Sequence, residues 1–420
     1  MDHETNRDFC GRPVFSIIKL TVQDGRRCIP KGMNNFILDN RTRVYFGRGC
    51  VREYLACLIR DQETVMLAYG SGSIKKNGVY DEILYILKRE GKNVVEFGQI
   101  GPGPTYEKVE EGIRLAREQK AELILGVGGG SVMDCCKAIS LGAVYQGDLW
   151  ENFWEKSGIV DFTPLPLGVV VTAGESGSEC NGVSILTNEE KKVRIGREYE
   201  KCSPAFALMD PSYCFSEPKE QMASGGFAAL FHVMEIYFSE PDEDNVSDDI
   251  SEALMGSLVR NLRKAWENPQ DYQTRSNLLW ASAMAKNRMI KLGKRGDFIC
   301  RQLEEQLELY TGCSHGAAAA VIGPAYYRRL CLERPEKFVR FAAQVWQLPE
   351  EESSREELAA AGIRALSEFI REFGLPSTLR QLGIQKKSQL KAMAEACGPT
   401  PGSYRAMSHE ELEEILQECF

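Results

Sequence analysis

The run Ala121 to Lys137, AELILGVGGGSVMDCCK, decides the fold. Leu123-Ile124-Leu125-Gly126-Val127 reads as a central parallel strand, because its apolar residues follow one another without alternation. Gly128-Gly129-Gly130 then lets the backbone approach a ligand with no Cβ in the way. Ser131 opens a helix whose free N–H groups and positive dipole end face that turn. A glycine-rich turn by itself is a weak signal, but a buried strand before it and a helix after it make a pyrophosphate cradle. Asp134 falls one helical turn after Ser131, where it can face the ligand. Lys137, a further turn on, reads either as a ligand contact or as a structural residue.

The chain has 420 residues, 43% hydrophobic and 26% charged, which describes an ordinary globular protein of two or three domains with ample core. A net charge of −9, with no basic run longer than pairs such as Lys75-Lys76 and Arg328-Arg329, argues against a nucleic-acid or acidic-membrane surface. Small neutral or anionic metabolites remain open as ligands. The 14 cysteines are scattered without a CxxC pair, and the start MDHETNRDFCGRP lacks a secretory pattern, so a reducing cytoplasm is expected. No apolar run approaches the ~20 residues of a membrane span.

Outward from the glycine turn, short apolar runs alternate with amphipathic stretches. Strands are expected at Val44–Phe46, Val65–Tyr69, Val94–Phe97, Leu123–Val127 and Leu167–Thr172, with helices near Val51–Arg60, Val79–Arg89, Tyr106–Glu118 and Val132–Leu141. Such a βαβ series implies a mostly parallel sheet. A hairpin is expected from Val183–Leu186 and Val193–Ile195, then a strand at Phe206–Met209. From Lys219 onward the periodicity is helical throughout. The expected division is an extension over 1–32, an α/β dinucleotide-binding domain over 33–215 and an all-α domain over 216–420. The alternating segment Val14–Val22, with a turn at Asp24-Gly25, is expected to form an edge hairpin packed on its own or a partner subunit.

The ordered series of motifs resembles the iron-containing alcohol dehydrogenase family, and within it the butanol dehydrogenase and NADPH-dependent aldehyde reductase branch. Its stations are MNNF at Met33, TRVYFGRG at Thr42, YGSGSIKKNGVYD at Tyr69, GVGGGSVMD at Gly126, GESGSECN at Gly174, MDP at Met209, HVMEIY at His232 and GCSHGAAAAVIGPA at Gly312. The resemblance implies a dehydroquinate synthase-like fold, a nicotinamide cofactor, a small carbonyl or alcohol substrate, and a homodimer. It places the cofactor against Gly70, Gly72, Ser73, Gly128, Gly129, Gly130, Ser131, Asp134, Thr172 and Ser176. Two departures weaken that grip: Gly103 where the family usually has Asn, and Glu217 where a leucine is common.

On the metal side the resemblance breaks. The family pattern is an Asp and a His four apart on one helix, followed by two His fourteen apart, suited to Fe or Zn. Here those positions hold Ala228 and His232, then Arg301 and His315, and the further family histidine is Glu305. The only carboxylate is gone and one imidazole has become a permanent cation. Three readings compete: a reductase without metal, with Arg301 and protonated His232 or His315 as electrophiles and a preference for anionic substrates; a metal enzyme using His232, His315 and Glu305; and a silent nucleotide-binding relative. Each polar residue has a plainer reading too. His232 can be a satisfied core histidine, His315 a packing residue at a small-residue helix, and Arg301 a partner of Glu304 and Glu305 on its own helix. Cys135 and Cys136 read as packing residues rather than redox centres.

The loop from Gly70 to Lys76 carries no acid that would bind a ribose 2′-hydroxyl and repel a 2′-phosphate, so NADP as well as NAD is admitted. Lys75 and Lys76 either add attraction or form a solvated face. NADPH is therefore expected to bind at least as tightly as NADH. Fluorescence titration showing NADH tenfold tighter would overturn that reading.

Overall fold

The computed structural model describes 34–174, 176–242, 244–350, 354–400 and 402–420, and the backbone of 22–23 and 26–27. Val22 and Gln23 pair antiparallel with Arg27 and Arg26. The rest of the expected N-terminal hairpin, with its turn at Asp24-Gly25, lies outside the described residues.

Beyond that two-residue pair, eight strands precede the helical half: β1 (Arg43–Phe46), β2 (Thr64–Tyr69), β3 (Asn93–Phe97), β4 (Leu123–Gly128), β5 (Leu167–Val171), β6 (Val183–Asn188), β7 (Val193–Glu198) and β8 (Phe206–Met209). Six form one all-parallel sheet in the order β1-β8-β5-β4-β2-β3, and β6 and β7 form a separate antiparallel hairpin. The interleaved helices are α1 (Cys50–Leu58), α2 (Val79–Arg89), α3 (Tyr106–Glu118) and α4 (Gly130–Val144). These are the expected elements, with α4 starting two residues early, on the glycine turn itself.

The continuous apolar run of β4 is explained by burial on both faces. Leu123, Leu125 and Val127 join the core beneath α1 and α2, while Ile124 joins the core beneath α3 and α4. Gly126 lets α4 come close: a Cβ there would sit 3.1 Å from Cys136 Sγ. Cys135 and Cys136 are fully buried, and burial pushes both thiols up, Cys135 to about 12. They pack and do not ionise. Because the chain runs outward from β2 to β3 and then returns to β4 on the other side of β2, the crevice at the carboxyl ends of β2 and β4 is the place where an open α/β sheet takes its ligand.

After β8 the described residues contain no further sheet strand. The main helices are α5 (Lys219–Tyr237), α6 (Val246–Glu267), α7 (Tyr272–Lys286), α8 (Ile299–Thr311), α9 (His315–Glu333) and α10 (Arg355–Glu372). Side chains of Asn245 and Asp271 accept the backbone N–H groups of Asp248 and Thr274 and so fix where α6 and α7 begin. α5 runs through the middle and is buried along most of its length. α9 presses onto it through small residues: a Cβ on Gly316 would lie 1.9 Å from Ser224 O, and one on Gly323 would lie 2.4 Å from the Phe231 ring. That contact places His315, the first residue of α9, beside His232 of α5. No helix among the described residues is long and apolar enough to cross a membrane.

Of the two readings of Lys137, the structure selects the structural one. Its Nζ donates to Ser178 Oγ at 2.6 Å, Asn181 Oδ1 at 3.1 Å and the Val183 carbonyl at 2.8 Å, tying α4 to the segment that enters β6. All three ammonium donors are used. Lys137→Met should lower stability by about 3 kcal/mol, roughly 1 kcal/mol for each buried acceptor left unpaired. Urea denaturation checks this, and a loss below about 0.5 kcal/mol would show that water replaces the ammonium.

Candidate active site

A cavity of about 830 Å³ opens at the carboxyl ends of β2 and β4 and extends to α5, α7, α8 and the start of α9. Its size is that of a ligand site. On the sheet side it is lined by Gly70, Ser73, Gly128, Gly129, Gly130, Ser131, Asp134, Thr172 and Ser176. On the helical side it is lined by Ala228, His232, Arg301, Glu305 and His315. Thus one cavity gathers nearly every residue singled out in the sequence. Gly72 is the exception: it lies in the left-handed region at φ 110° ahead of the short turn Ser73–Lys76 and does not line the cavity, so its part is to shape the loop.

The sheet side fits a dinucleotide. The α4 N-terminus offers unpaired N–H groups at the turn, and Thr172 N donates to Gly128 O at 3.1 Å, which holds the turn against β5. A Cβ on Gly130 would lie 2.7 Å from Ser176 Cβ and one on Gly128 would lie 2.5 Å from Val132, so no side chain fits at either position. Asp134 is more constrained than expected. Its carboxylate accepts Ser178 Oγ at 2.7 Å and Ile185 N at 3.2 Å, and burial raises its pKa. Its reach to a ligand is limited by these bonds. Lys75 turns back onto Glu96 at 3.5 Å and lies over the rings of Tyr69 and Tyr80. At Gly103, where φ is 61°, a Cβ would meet Arg194 Nη1 at 2.8 Å, and that arginine lines the cavity. Glu217 faces the cavity while paired to Arg275 at 2.7 Å.

On the helical side, Arg301 does not pair with Glu304 or Glu305 along its own helix. Instead its Nη2 reaches across to α5, 2.6 Å from Glu235 Oε2 and 2.5 Å from His232 Nδ1. A guanidinium only donates, so His232 Nδ1 is the acceptor and its proton sits on Nε2. The imidazoles of His232 and His315 stack with centroids 4.8 Å apart and planes 21° from parallel. His315 Nδ1 lies 3.0 Å from Glu308 Oε1 and 3.2 Å from Glu304 Oε2. Burial first, then Lys286, Arg301 and His315, hold His232 well below its ordinary pKa; burial and Arg301 lower that of His315 as well, against the pull of Glu308. The expectation of a protonated His232 is therefore corrected, because Arg301 donates to its Nδ1; at His315 burial and Arg301 disfavour a further charge while Glu308 favours it.

Three residues of the site were missed by the sequence reading: Lys286, Arg194 and Glu308 all line the cavity. Arg194 Nη2 pairs with Glu308 Oε2 at 2.8 Å. Despite burial, His315 and Arg194 keep Glu308 below its ordinary pKa, whereas burial raises Glu304 well above its own and raises Glu305. A signal was available, since Arg301, Glu304, Glu305 and Glu308 share one face of α8 at the helical spacing i, i+3, i+4, i+7.

The residues present do not fit the divalent ion that the resemblance implies. The lone pairs of two nearly parallel imidazoles lie in planes that run alongside each other, so they do not converge on one centre. Arg301 occupies His232 Nδ1, Ala228 supplies no oxygen, and among the described residues no group of three His, Cys, Asp or Glu side chains is arranged to hold a metal.

The family profile described as iron-containing alcohol dehydrogenase matches residues 41–211, and that of the Fe-containing alcohol dehydrogenase C-terminal region matches 222–420. The NADH-dependent butanol dehydrogenase A of Clostridium acetobutylicum is 33% identical over 384 residues, covering 90% of this chain and 98% of the relative. The NADPH-dependent aldehyde reductase YqhD of Escherichia coli is 32% identical over 358 residues, covering 85% and 91%. The crystal structure of NADH-dependent butanol dehydrogenase A from Thermotoga maritima superposes with a TM-score of 0.86 at 32% identity, covering 92% and 99%. The chain belongs to the iron-containing alcohol dehydrogenase family.

The Arg301–Glu235 pair is buried, so removing one partner strands the other. Glu235→Gln should destabilise the fold by about 3 kcal/mol, and Glu235→Gln with Arg301→Met should recover most of that loss, since replacing both charges removes the uncompensated one. A double-mutant cycle by denaturant unfolding tests this. Additive losses would show that the two residues act independently.

Proposed function

We propose that this chain is an NAD(P)H-dependent oxidoreductase of the alcohol dehydrogenase and aldehyde reductase type that works without the family metal. The observation that carries the proposal is the single cavity that joins an intact dinucleotide cradle to a helical wall where Arg301 holds the histidine a metal would need. Residues before about Phe215 supply the cofactor wall, and those after it the wall where the carbonyl is held.

The backbone N–H groups at Gly129, Gly130 and Ser131 bind the diphosphate, and the hydroxyls of Thr172 and Ser176 orient the ring system beyond it. A bound reduced nicotinamide supplies the hydride. Arg301, kept charged by Glu235 against the burial that opposes it, is a fixed positive charge at the wall. It stabilises an oxyanion that develops there, an effect strengthened by the exclusion of water. His232, neutral with its proton on Nε2, is a hydrogen-bond donor rather than a cation. The preference for anionic substrates loses its support, because the fork of Arg301 that would grip a carboxylate is engaged by Glu235 and His232. Uncharged aldehydes and alcohols are the substrate class that this wall suits.

Replacing Asp by Ala228 and His by Arg301 removes one negative charge and adds one positive, a swing that opposes a divalent cation by several kcal/mol at a cleft's effective dielectric, on the order of 4 kcal/mol per charge pair at ~4 Å. Protein purified without chelator should hold no stoichiometric Fe or Zn by elemental analysis and should reduce an aldehyde panel equally with and without chelator. Ala228→Asp together with Arg301→His should create metal binding that neither substitution creates alone. Stoichiometric metal in the unmodified protein would return it to the metal-dependent members, and failure to bind NADPH or NADH would leave a silent relative.

A further inference from the structure

Lys286 ends α7 and faces the cavity from the seam between its two walls. Its main chain is fixed there: Asn181 Nδ2 donates to the Lys286 carbonyl at 3.3 Å, and a Cβ on Gly177 would lie 2.4 Å from Lys286 Cβ, so the 177–181 turn closes over the residue. This turn is the one that carries Ser178 against Asp134. The side chain therefore leaves α7 between the cofactor wall and the helical wall.

The other cavity cations are engaged, Arg301 by Glu235 and Arg194 by Glu308. Among the described residues, the Lys286 ammonium has neither a hydrogen bond nor an ion pair. An unpaired, half-buried cation in a cavity is costly unless a ligand uses it.

We propose that Lys286 is the acid that protonates the carbonyl oxygen during reduction, and the base that removes the hydroxyl proton in the reverse direction. The inference rests on the reductase reading above. In the forward step the hydride forms the new C–H bond, the carbonyl π pair moves to oxygen, an Nζ–H bond of Lys286 breaks and the O–H bond forms. The neutral amine then regains its proton from water at the cavity mouth. The charges around Lys286 suit this exchange. Arg301 of α8 opposes its charge, Glu235 of α5, Asp134 of α4 and Glu198 of β7 support it, and burial, the largest influence, brings its pKa down to about 7. In turn, the Lys286 charge disfavours protonation of His232 of α5, after burial. A lysine so placed exchanges its proton near neutral pH, which arginine does not.

The sign follows from the reacting form. Reduction needs the ammonium, so kcat for aldehyde reduction should be high below about 7 and fall as pH rises through it, and kcat for alcohol oxidation should rise over the same range. Lys286→Met should lower kcat by about 10²-fold or more with NADPH affinity unchanged, and flatten both profiles. Lys286→Arg keeps the charge but not the exchangeable proton, so KM should stay within about threefold while kcat remains low. A second readout is independent of turnover. After reductive methylation with ¹³C-formaldehyde, the dimethyl-lysine resonance missing from Lys286→Met should titrate near 7 and shift when NADP⁺ and an alcohol are added. Melting temperature and NADPH titration of both variants verify folding. If the unmodified protein reduces aldehydes while Lys286→Met keeps kcat within threefold, if Lys286→Arg restores kcat, or if the resonance titrates above 9, the role of Lys286 is refuted and the reductase reading stands. If the unmodified protein neither binds nicotinamide nor turns over, both fall.

Discussion

The contact on which the cleft depends is the one made by Arg301 across to α5. A guanidinium at that depth must be neutralised, and Glu235 does so from the helix turn after His232. The same Nη2 takes His232 Nδ1, which fixes the imidazole tautomer and turns the ring to stack on His315. Everything that the helical wall can do chemically follows from this arrangement. His232 is a neutral donor, His315 is tied to Glu308, and a permanent organic cation stands where the family pattern has a metal-binding imidazole. The charge is mounted on rigid elements, since Ala228, His232 and Glu235 share one face of a buried helix at the spacing i, i+4, i+7.

The opposite wall is governed by sterics. Gly128 and Gly130 are required because Val132 and Ser176 press against the backbone at distances that a Cβ does not tolerate, and at Gly126 a Cβ would be tight against Cys136 of α4. The cradle is thus narrow as a consequence of packing, and its exposed N–H groups come with that narrowness. Lys137 and Asp134 then lock α4 onto the turn at Ser178 and the start of β6, so the ligand-facing turn is braced from behind by buried polar bonds. A nucleotide bound there would meet a wall that is already organised.

The sheet half was legible because its signals are local. A strand that is apolar without alternation, followed by three glycines and a helix start, has few other structures open to it, and each strand expected between Val44 and Met209 is present. The position of the cavity was legible through the order of the motifs. Pairing was not. Sequence spacing put Arg301 with Glu304 and Glu305, neighbours along one helix, whereas the buried partner is Glu235, sixty-six positions away. Protonation was equally out of reach, since whether His232 and His315 carry charge depends on burial and on Arg301, with Lys286 acting on His232 as well, and four different helices bring these residues together. Lys286 itself escaped notice because a single lysine at the end of a helix is ordinarily a solvated cap residue; only the closure of the 177–181 turn over it turns that residue inward.

The inward stripe of α8 shows how such a site stays foldable. It presents Arg301, Glu304, Glu305 and Glu308 to a volume with little water, and four charges there could not all persist. They separate by environment. Burial, with Glu235 adding, raises the pKa of Glu304 well above its ordinary value and so disfavours its charge, and burial likewise raises Glu305. Glu308 stays ionised because Arg194 and His315 hold it, and Arg301 stays charged because Glu235 does. Each retained charge has an opposite partner on a different element, which makes the charge pattern a consequence of how α5, α8, β7 and the start of α9 meet. A substitution at any one of these positions therefore changes the protonation of its neighbours as well as its own contact, and the chemistry of the cleft belongs to the set rather than to one residue.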